Sequence, residues 1–347
     1  TITGCTNQGA VSGCGGYLGG IVGTASGVTI TNCINSGAIT STAAPSTSTI
    51  GIGGIAGTFS GSTASIERCG NTGTVTSTLK RTAGIVGYFA GTMNGCFNTG
   101  AVSGIYELGG VVGSISSANT KITDCYNQGS VTCNAPSSPL TDNYVAKGVG
   151  GIVGDPGSYS NTAAITNCYN TGELTNTDSA TEKVVIGGII GSSDGINYSK
   201  VTVPRVITAE NCYYLAAEGL NGDGANAAAA GVTSKKAEEL KSPDMVTSLG
   251  GSYIAQTDGY PMLGWQNPNA DYTVTFTLSP STAALTVWQG ETIYRLGEDG
   301  AFHLKNGTYS YKVEAEERQT EEGTFTVAYG GQSIAVTLNE TLYDVVF

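Results

Sequence analysis

The chain has 347 residues, of which 52 are glycine, roughly twice the ordinary share of about 7%. Charged residues make up only 12% and prolines number 9, a composition that fits neither an ordinary enzyme surface nor a disordered tail. No apolar run approaches the ~18 residues that span a bilayer, no charged-then-apolar signal segment opens the sequence, and a net charge of −12 argues against nucleic acid as a partner.

From Thr1 onward one block recurs. Cys5, Cys33, Cys69, Cys96, Cys125, Cys168 and Cys212 each stand three residues after an apolar side chain: Ile2, Ile30, Ile66, Met93, Ile122 and Ile165, with Ala209 in the last copy. Two residues after the Cys comes Asn7, Asn35, Asn71, Asn98, Asn127 or Asn170, and four after it Gly9, Gly37, Gly73, Gly100, Gly129 or Gly172. Six after it comes Val11, Ile39, Val75, Val102, Val131 or Leu174. At Cys212 the Asn and Gly positions hold Tyr214 and Ala216, so the array decays there. A second block, Gly19-Gly20-Ile21-Val22-Gly23, alternates with the first and returns at 53–57, 83–87, 109–113, 150–154 and 187–191.

The aliphatic pairs are β-branched and too short for helices, so they read as short buried strands. Asn followed two residues later by Gly offers the two types that best tolerate positive φ, which places the turn of each copy there. Small residues let neighbouring segments approach closely, and stacking buries an apolar face that no single copy could bury alone. The spacing of the cysteines varies from 27 to 44 residues while the blocks stay constant, as in stacked repeats with insertable loops. The expected fold is all-β: a right-handed parallel β-helix (β-solenoid) over residues 1–218, one turn per repeat, rising ~4.8 Å per turn.

Blocks such as Gly151-Ile152-Val153-Gly154 followed by Ile165-Thr166-Asn167-Cys168-Tyr169-Asn170-Thr171-Gly172 resemble the GLUG-motif repeats of bacterial surface proteins, with Ile or Val where the motif's name has Leu. The resemblance runs from Thr1 to Tyr214. It implies an adhesin-like protein that is secreted or attached to the bacterial cell wall, and some such proteins are long immunoglobulin A peptidases with a zinc HExxH motif. The one histidine here is His303, so this chain holds no such centre. Because Thr1 opens directly into a Cys block, the chain is expected to be part of a larger polypeptide.

Beyond the repeats, residues 219–270 read as a loop and helical cap: a Gly/Ala/Asn-rich stretch, a short helix over 234–240, and a second helix with Ser242 as N-cap, Pro243 at its first position and Gly250-Gly251 as its stop. This segment, with residues 259–265, is expected to close the open end of the solenoid. Residues 271–347 change to strict alternation, with turn residues between the runs, and read as a small antiparallel β-sandwich. Ser279-Pro280, Gly290 and Leu304-Lys305-Asn306-Gly307-Thr308-Tyr309 resemble PEGA-type or carboxypeptidase-regulatory-like modules of surface proteins. Charge is lopsided: net −2 over residues 1–200 and −10 over the remainder, a solvated acidic face.

Candidate chemistry is sparse. The seven ladder cysteines recur once per coil, so they are expected as buried free thiols; no metal or cofactor is called for, and Cys14 and Cys133 stand off the ladder. The Asn series is expected to be a structural row of stacked amides. The residue after each ladder Cys runs Thr6, Ile34, Gly70, Phe97, Tyr126, Tyr169, Tyr213. Alternation would turn Phe97, Tyr126, Tyr169 and Tyr213 outward as an aromatic stripe suited to a sugar ring or a partner protein; the alternative is that they stack on one another. Acids Glu67, Glu107, Asp124, Asp155, Glu173 and Asp194 fall at different repeat positions, and Arg68, Lys80-Arg81 and Lys121 do not cluster with them by register. The functional expectation is a non-catalytic binding or adhesion module for a glycan or host protein. The alternatives are a spacer displaying another domain, or a carbohydrate-active enzyme with a site built from loops at 132–148 or 192–205.

Overall fold

The computed structural model describes residues 1–42, 51–61, 63–134, 147–155, 162–177, 184–193, 195–196, 202–203, 207–225, 230–267, 269–327 and 331–341. The two loops named for an enzyme site and Asp194 therefore lie largely outside the described residues. The chain divides into two compact units, Thr1–Leu240 and Lys241–Phe347, and the segment expected as a cap is shared between them. No helix among the described residues is long and apolar enough to cross a membrane.

The first unit is a solenoid-like stack of parallel strands. A seven-stranded isoleucine sheet runs from Ile2–Thr3 to Ile207–Glu210, with Ile2, Ile30, Ile66, Met93, Ile122, Ile165 and Ala209 in one column. An asparagine sheet aligns Asn7, Asn35, Asn71, Asn98, Asn127 and Asn170, and a valine sheet aligns Val11, Ile39, Val75, Val102, Val131 and Leu174. The Gly-Gly blocks form a twelve-stranded sheet that folds back on itself, so each coil contributes two arms to it, such as Gly51–Gly53 and Ala56–Ser60. One arm closes a core of Ile30, Cys33, Ile55, Phe59, Ile66 and their successors; the other closes a second core of Ile39, Ile52, Val75, Val102, Leu108 and Val131.

Each repeat bends at its Asn-x-Gly glycine, from Gly9 to Gly172, as read, but the left-handed backbone expected there lies at a second corner. Positive φ falls on the residue immediately before each ladder Cys: Gly4 (66°), Asn32 (55°), Arg68 (50°), Gly95 (63°), Asp124 (53°), Asn167 (55°) and Asn211 (50°). None of the repeat asparagines or their following glycines takes positive φ. Those glycines are required by stacking instead: a Cβ on Gly100 would run into the Gly73 carbonyl, and the same collision recurs from Gly37 to Gly172. The left-handed corner also explains the cysteine. It takes the backbone out of the strand ladder, so the next N–H needs another acceptor. The N–H groups of Cys5, Cys33, Cys96 and Cys125 donate to the Sγ of the ladder Cys in the following coil, each at 3.4 Å. All nine cysteines are free thiols, and only Cys5 and Cys14 are exposed.

At its end the stack gains Val232–Lys235, which pairs with Cys212–Leu215, so the expected helix over 234–240 shrinks to α1 (Ala237–Leu240). In the second unit α2 (Pro243–Leu249) starts at Ser242 and stops at Gly250 as read. A hairpin of Tyr253–Gln256 and Gly259–Leu263 follows. Two further sheets, one of three strands around Tyr272–Ser279 and one of four from Thr292–Tyr294 to Glu321–Val327, share Tyr272, Val274, Val287, Phe302, Tyr309 and Val327 in one core. The pairing is not antiparallel throughout: Gln332–Thr337 lies parallel to Tyr272–Ser279 over six residue pairs.

Candidate functional site

The aromatic residues are placed by the same register that aligns the asparagines. Gly70, Phe97, Tyr126, Tyr169 and Tyr213 are successive partners in the asparagine sheet, each next to its ladder Cys. In-register stacking lays the rings on one another. Phe97 and Tyr126 have centroids 5.5 Å apart at 17°, and Tyr126 and Tyr169 5.0 Å apart at 9°. Gly70 ends the column from below, since a Cβ there would strike the Phe97 ring. The exposures are 6% for Phe97, 3% for Tyr126 and 0% for Tyr169, while Tyr213 is half-buried with Lys235 Nζ 5.9 Å from its ring. Phe97, Tyr126 and Tyr169 are thus brought together as a stack and not as the open stripe that alternation foresaw, with Tyr213 next in register. A sugar-binding platform lays its ring faces toward solvent; here Phe97, Tyr126 and Tyr169 turn faces to one another. The Tyr169 hydroxyl is also engaged, accepting from Gln128 Nε2 at 2.9 Å.

The amide row is equally closed. Each Nδ2 donates to the Oδ1 of the next coil's asparagine at 2.7–2.8 Å from Asn7 through Asn170, and also to the carbonyl of its own repeat glycine. Burial, with the neighbouring thiols acting in both directions, pushes the Cys96, Cys125 and Cys168 thiols well above the ordinary range, away from the thiolate that nucleophilic or metal chemistry requires. Among the described residues no group of three or more His, Cys, Asp or Glu side chains is placed to hold a metal ion.

A cluster that the register argument dismissed does form. Thr82 pairs with Leu108, which puts Arg81 beside Glu107 in the next coil. Arg81 Nε lies 2.7 Å from Glu107 Oε2, and Lys80 Nζ 3.6 Å from Oε1. The Arg81 guanidinium sits 4.1 Å above the Tyr88 ring, and Asp155 accepts from Ser114 Oγ at 3.1 Å nearby. Lys80, Arg81, Glu107 and Asp155 are all buried. Burial alone would lower the Arg81 pKa, but the Glu107 carboxylate, helped by Tyr88 and Asp155, leaves it above its usual value. Arg81 and Glu107 both occupy left-handed backbone, φ 59° and 53°. Two cations and two carboxylates are thus gathered in one buried cluster, in which Glu107 pairs with both Lys80 and Arg81. Arg68 instead donates to Asn32 Oδ1 at 2.9 Å, and the exposed His303 side chain pairs with Asp299 at 3.0 Å.

Compared with known proteins, the chain is similar to the crystal structure of a protein described as a candidate immunoglobulin A1 protease from Bacteroides ovatus, at 22% identity over 68% of this chain and 69% of that chain, with a TM-score of 0.44. No family model and no curated protein matches the chain.

Proposed function

We propose that the chain is a non-catalytic part of a secreted or cell-wall-attached bacterial protein of the GLUG-repeat kind, in which the coil is a stiff spacer that displays other domains. We read the coil as right-handed, after the crossover preference of parallel strands, and the two later sheets as a small β-sandwich of the PEGA or carboxypeptidase-regulatory-like kind. The observation carrying the spacer reading is the closure of the aromatic column: Phe97, Tyr126 and Tyr169, three of the four rings foreseen as a ligand platform, stack on one another. The amide row and the ion cluster support it, because their polar groups are spent on neighbouring coils.

A carbohydrate-active reading draws on Lys80, Arg81, Glu107 and Asp155, but their mutual neutralisation favours a structural role. A glycan array probed with the full chain and with its Tyr169→Ala and Tyr213→Ala variants tests the proposal. The spacer reading expects no glycan bound by any of the three. Glycan binding that the alanine variants abolish would restore the adhesion reading.

A further inference from the structure

The stack is incomplete in one sheet. Beyond Tyr169–Asn170 the asparagine sheet gains two more strands, Cys212–Leu215 and Val232–Lys235, and the glycine sheet gains Asn221–Asp223. Among the described residues the valine sheet stops at Leu174–Asn176. The cause lies in the sequence. The column of repeat glycines packs backbone on backbone, and a Cβ on Gly172 would strike the Gly129 carbonyl. The register that pairs Asn170 with Tyr214 brings Ala216 to the next place in this column, where its methyl group cannot fit. The chain leaves the coil there, turning so that the Leu220 N–H donates to the Ala217 carbonyl at 3.2 Å. What remains is a cleft of about 410 Å³, bordered by Glu173, Leu174, Ile186, Leu215 and Leu220.

We infer that this cleft receives an extended segment of another protein chain, added as one further parallel strand on Leu174–Asn176. Continuity with the sheet fixes the geometry. The N–H groups of Val11, Ile39, Val75, Val102 and Val131 each donate at 2.8 Å to a carbonyl of the following coil, those of Ala38, Thr74, Ala101, Ser130 and Glu173. Leu174 is the next donor in that series, and no described residue accepts from it. In the opposite sense, the N–H groups of Thr42, Asn134 and Thr177 donate back to the Gly13, Gly104 and Cys133 carbonyls of the preceding coils, at 2.9, 2.7 and 2.8 Å. Leu174 and Ile186 are partly buried, whereas their counterparts one coil earlier, Val131 and Val149, are fully covered. An incoming aliphatic side chain would complete that core. The existing strands state what fits: Val11-Ser12-Gly13, Ile39-Thr40-Ser41, Val75-Thr76-Ser77 and Val102-Ser103-Gly104 all read aliphatic, hydroxyl, small. The partner is therefore a segment of that pattern, held by main-chain hydrogen bonds with one apolar anchor.

The test is amide hydrogen exchange on the full chain with an acetylated, amidated peptide of residues 36–42, one of the chain's own strands of this kind. At low-millimolar peptide, exchange at the Leu174 amide should slow about fivefold or more, the effect of one added hydrogen bond. A peptide carrying Ile39→Asp, and one N-methylated at Thr42, should each lose that protection. Unchanged exchange at Leu174, equal protection by the two altered peptides, or a Leu174 amide already as slow as that of Val131 in the chain alone would each overturn the inference. The outcome does not depend on the spacer reading.

Discussion

Removing one amide from the middle of the asparagine row gives the most direct measure of what the row contributes. Asn98 is fully buried; its Nδ2 donates to the Gly100 carbonyl at 2.8 Å and to Asn127 Oδ1 at 2.7 Å, while its Oδ1 accepts from Asn71 Nδ2 at 2.8 Å. Asn98→Ala strands three partners at once. At a net ~1 kcal/mol for each bond the loss is ~3 kcal/mol, and partners left dry carry it toward ~5 kcal/mol. Asn7, the first asparagine of the row, makes the same two donations but is only partly buried, so water replaces what Asn7→Ala removes and the loss stays below ~1 kcal/mol. Urea unfolding of the full chain, followed by circular dichroism, compares the two variants. A cost at Asn98 under ~1 kcal/mol, or no larger than that at Asn7, would refute the claim that the amides stabilise the stack by bonding from coil to coil.

In the folded chain, a thiol-reactive chromophore should label Cys5 and Cys14 rapidly, and the seven buried cysteines only as it unfolds; fast labelling of more than two sites would contradict the ladder. The raised pKa values of Cys96, Cys125 and Cys168 keep these thiols protonated in the folded state, whereas the unfolded chain releases the protons near the ordinary value of 9.0. Their contribution is complete below that pH and falls as pH rises above it, by ~1.4 kcal/mol per pH unit for each thiol, which unfolding at pH 8 to 10.5 would show as a steepening loss. Glu107→Gln leaves Lys80 and Arg81 buried with one countercharge removed and should cost ~3–5 kcal/mol, while adding Lys80→Met should recover part of it; a double variant no more stable than the single one would deny the coupling.

The stacked strands were legible because the same offsets from cysteine recur with strands too short to be helices, and the register pairs of the three short-strand sheets follow those offsets up to Cys212–Leu215, whose pairing with Val232–Lys235 lies outside the repeats. The left-handed corner was less visible because Arg68 and Asp124 share no turn chemistry with the rest of their column; only Gly4, Asn32, Gly95, Asn167 and Asn211 hinted at positive φ there. The pairing of Arg81 with Glu107 was also present as a count: each stands two residues before its glycine block, at Ala83 and Gly109, an offset hidden by comparing the charges with the cysteines. Alternation predicted outward rings for Phe97, Tyr126 and Tyr169, but it says nothing of how identical neighbours one coil away cover each other's faces. In the second unit, alternation in Gln332–Thr337 marked a strand and its faces but could not name its partner, and the parallel pairing with Tyr272–Ser279 was missed for that reason.

The bonds that join coil to coil, from Asn7 to Asn170 and from each ladder cysteine's N–H to the next thiol, all run along the axis of the stack. Tension applied between its two ends pulls along those bonds and meets them one turn at a time, so the molecule yields by peeling and not by shear. A pulling trace should then lengthen in steps of single coils, 27 to 44 residues each, and a single all-at-once rupture would show that the turns share the load.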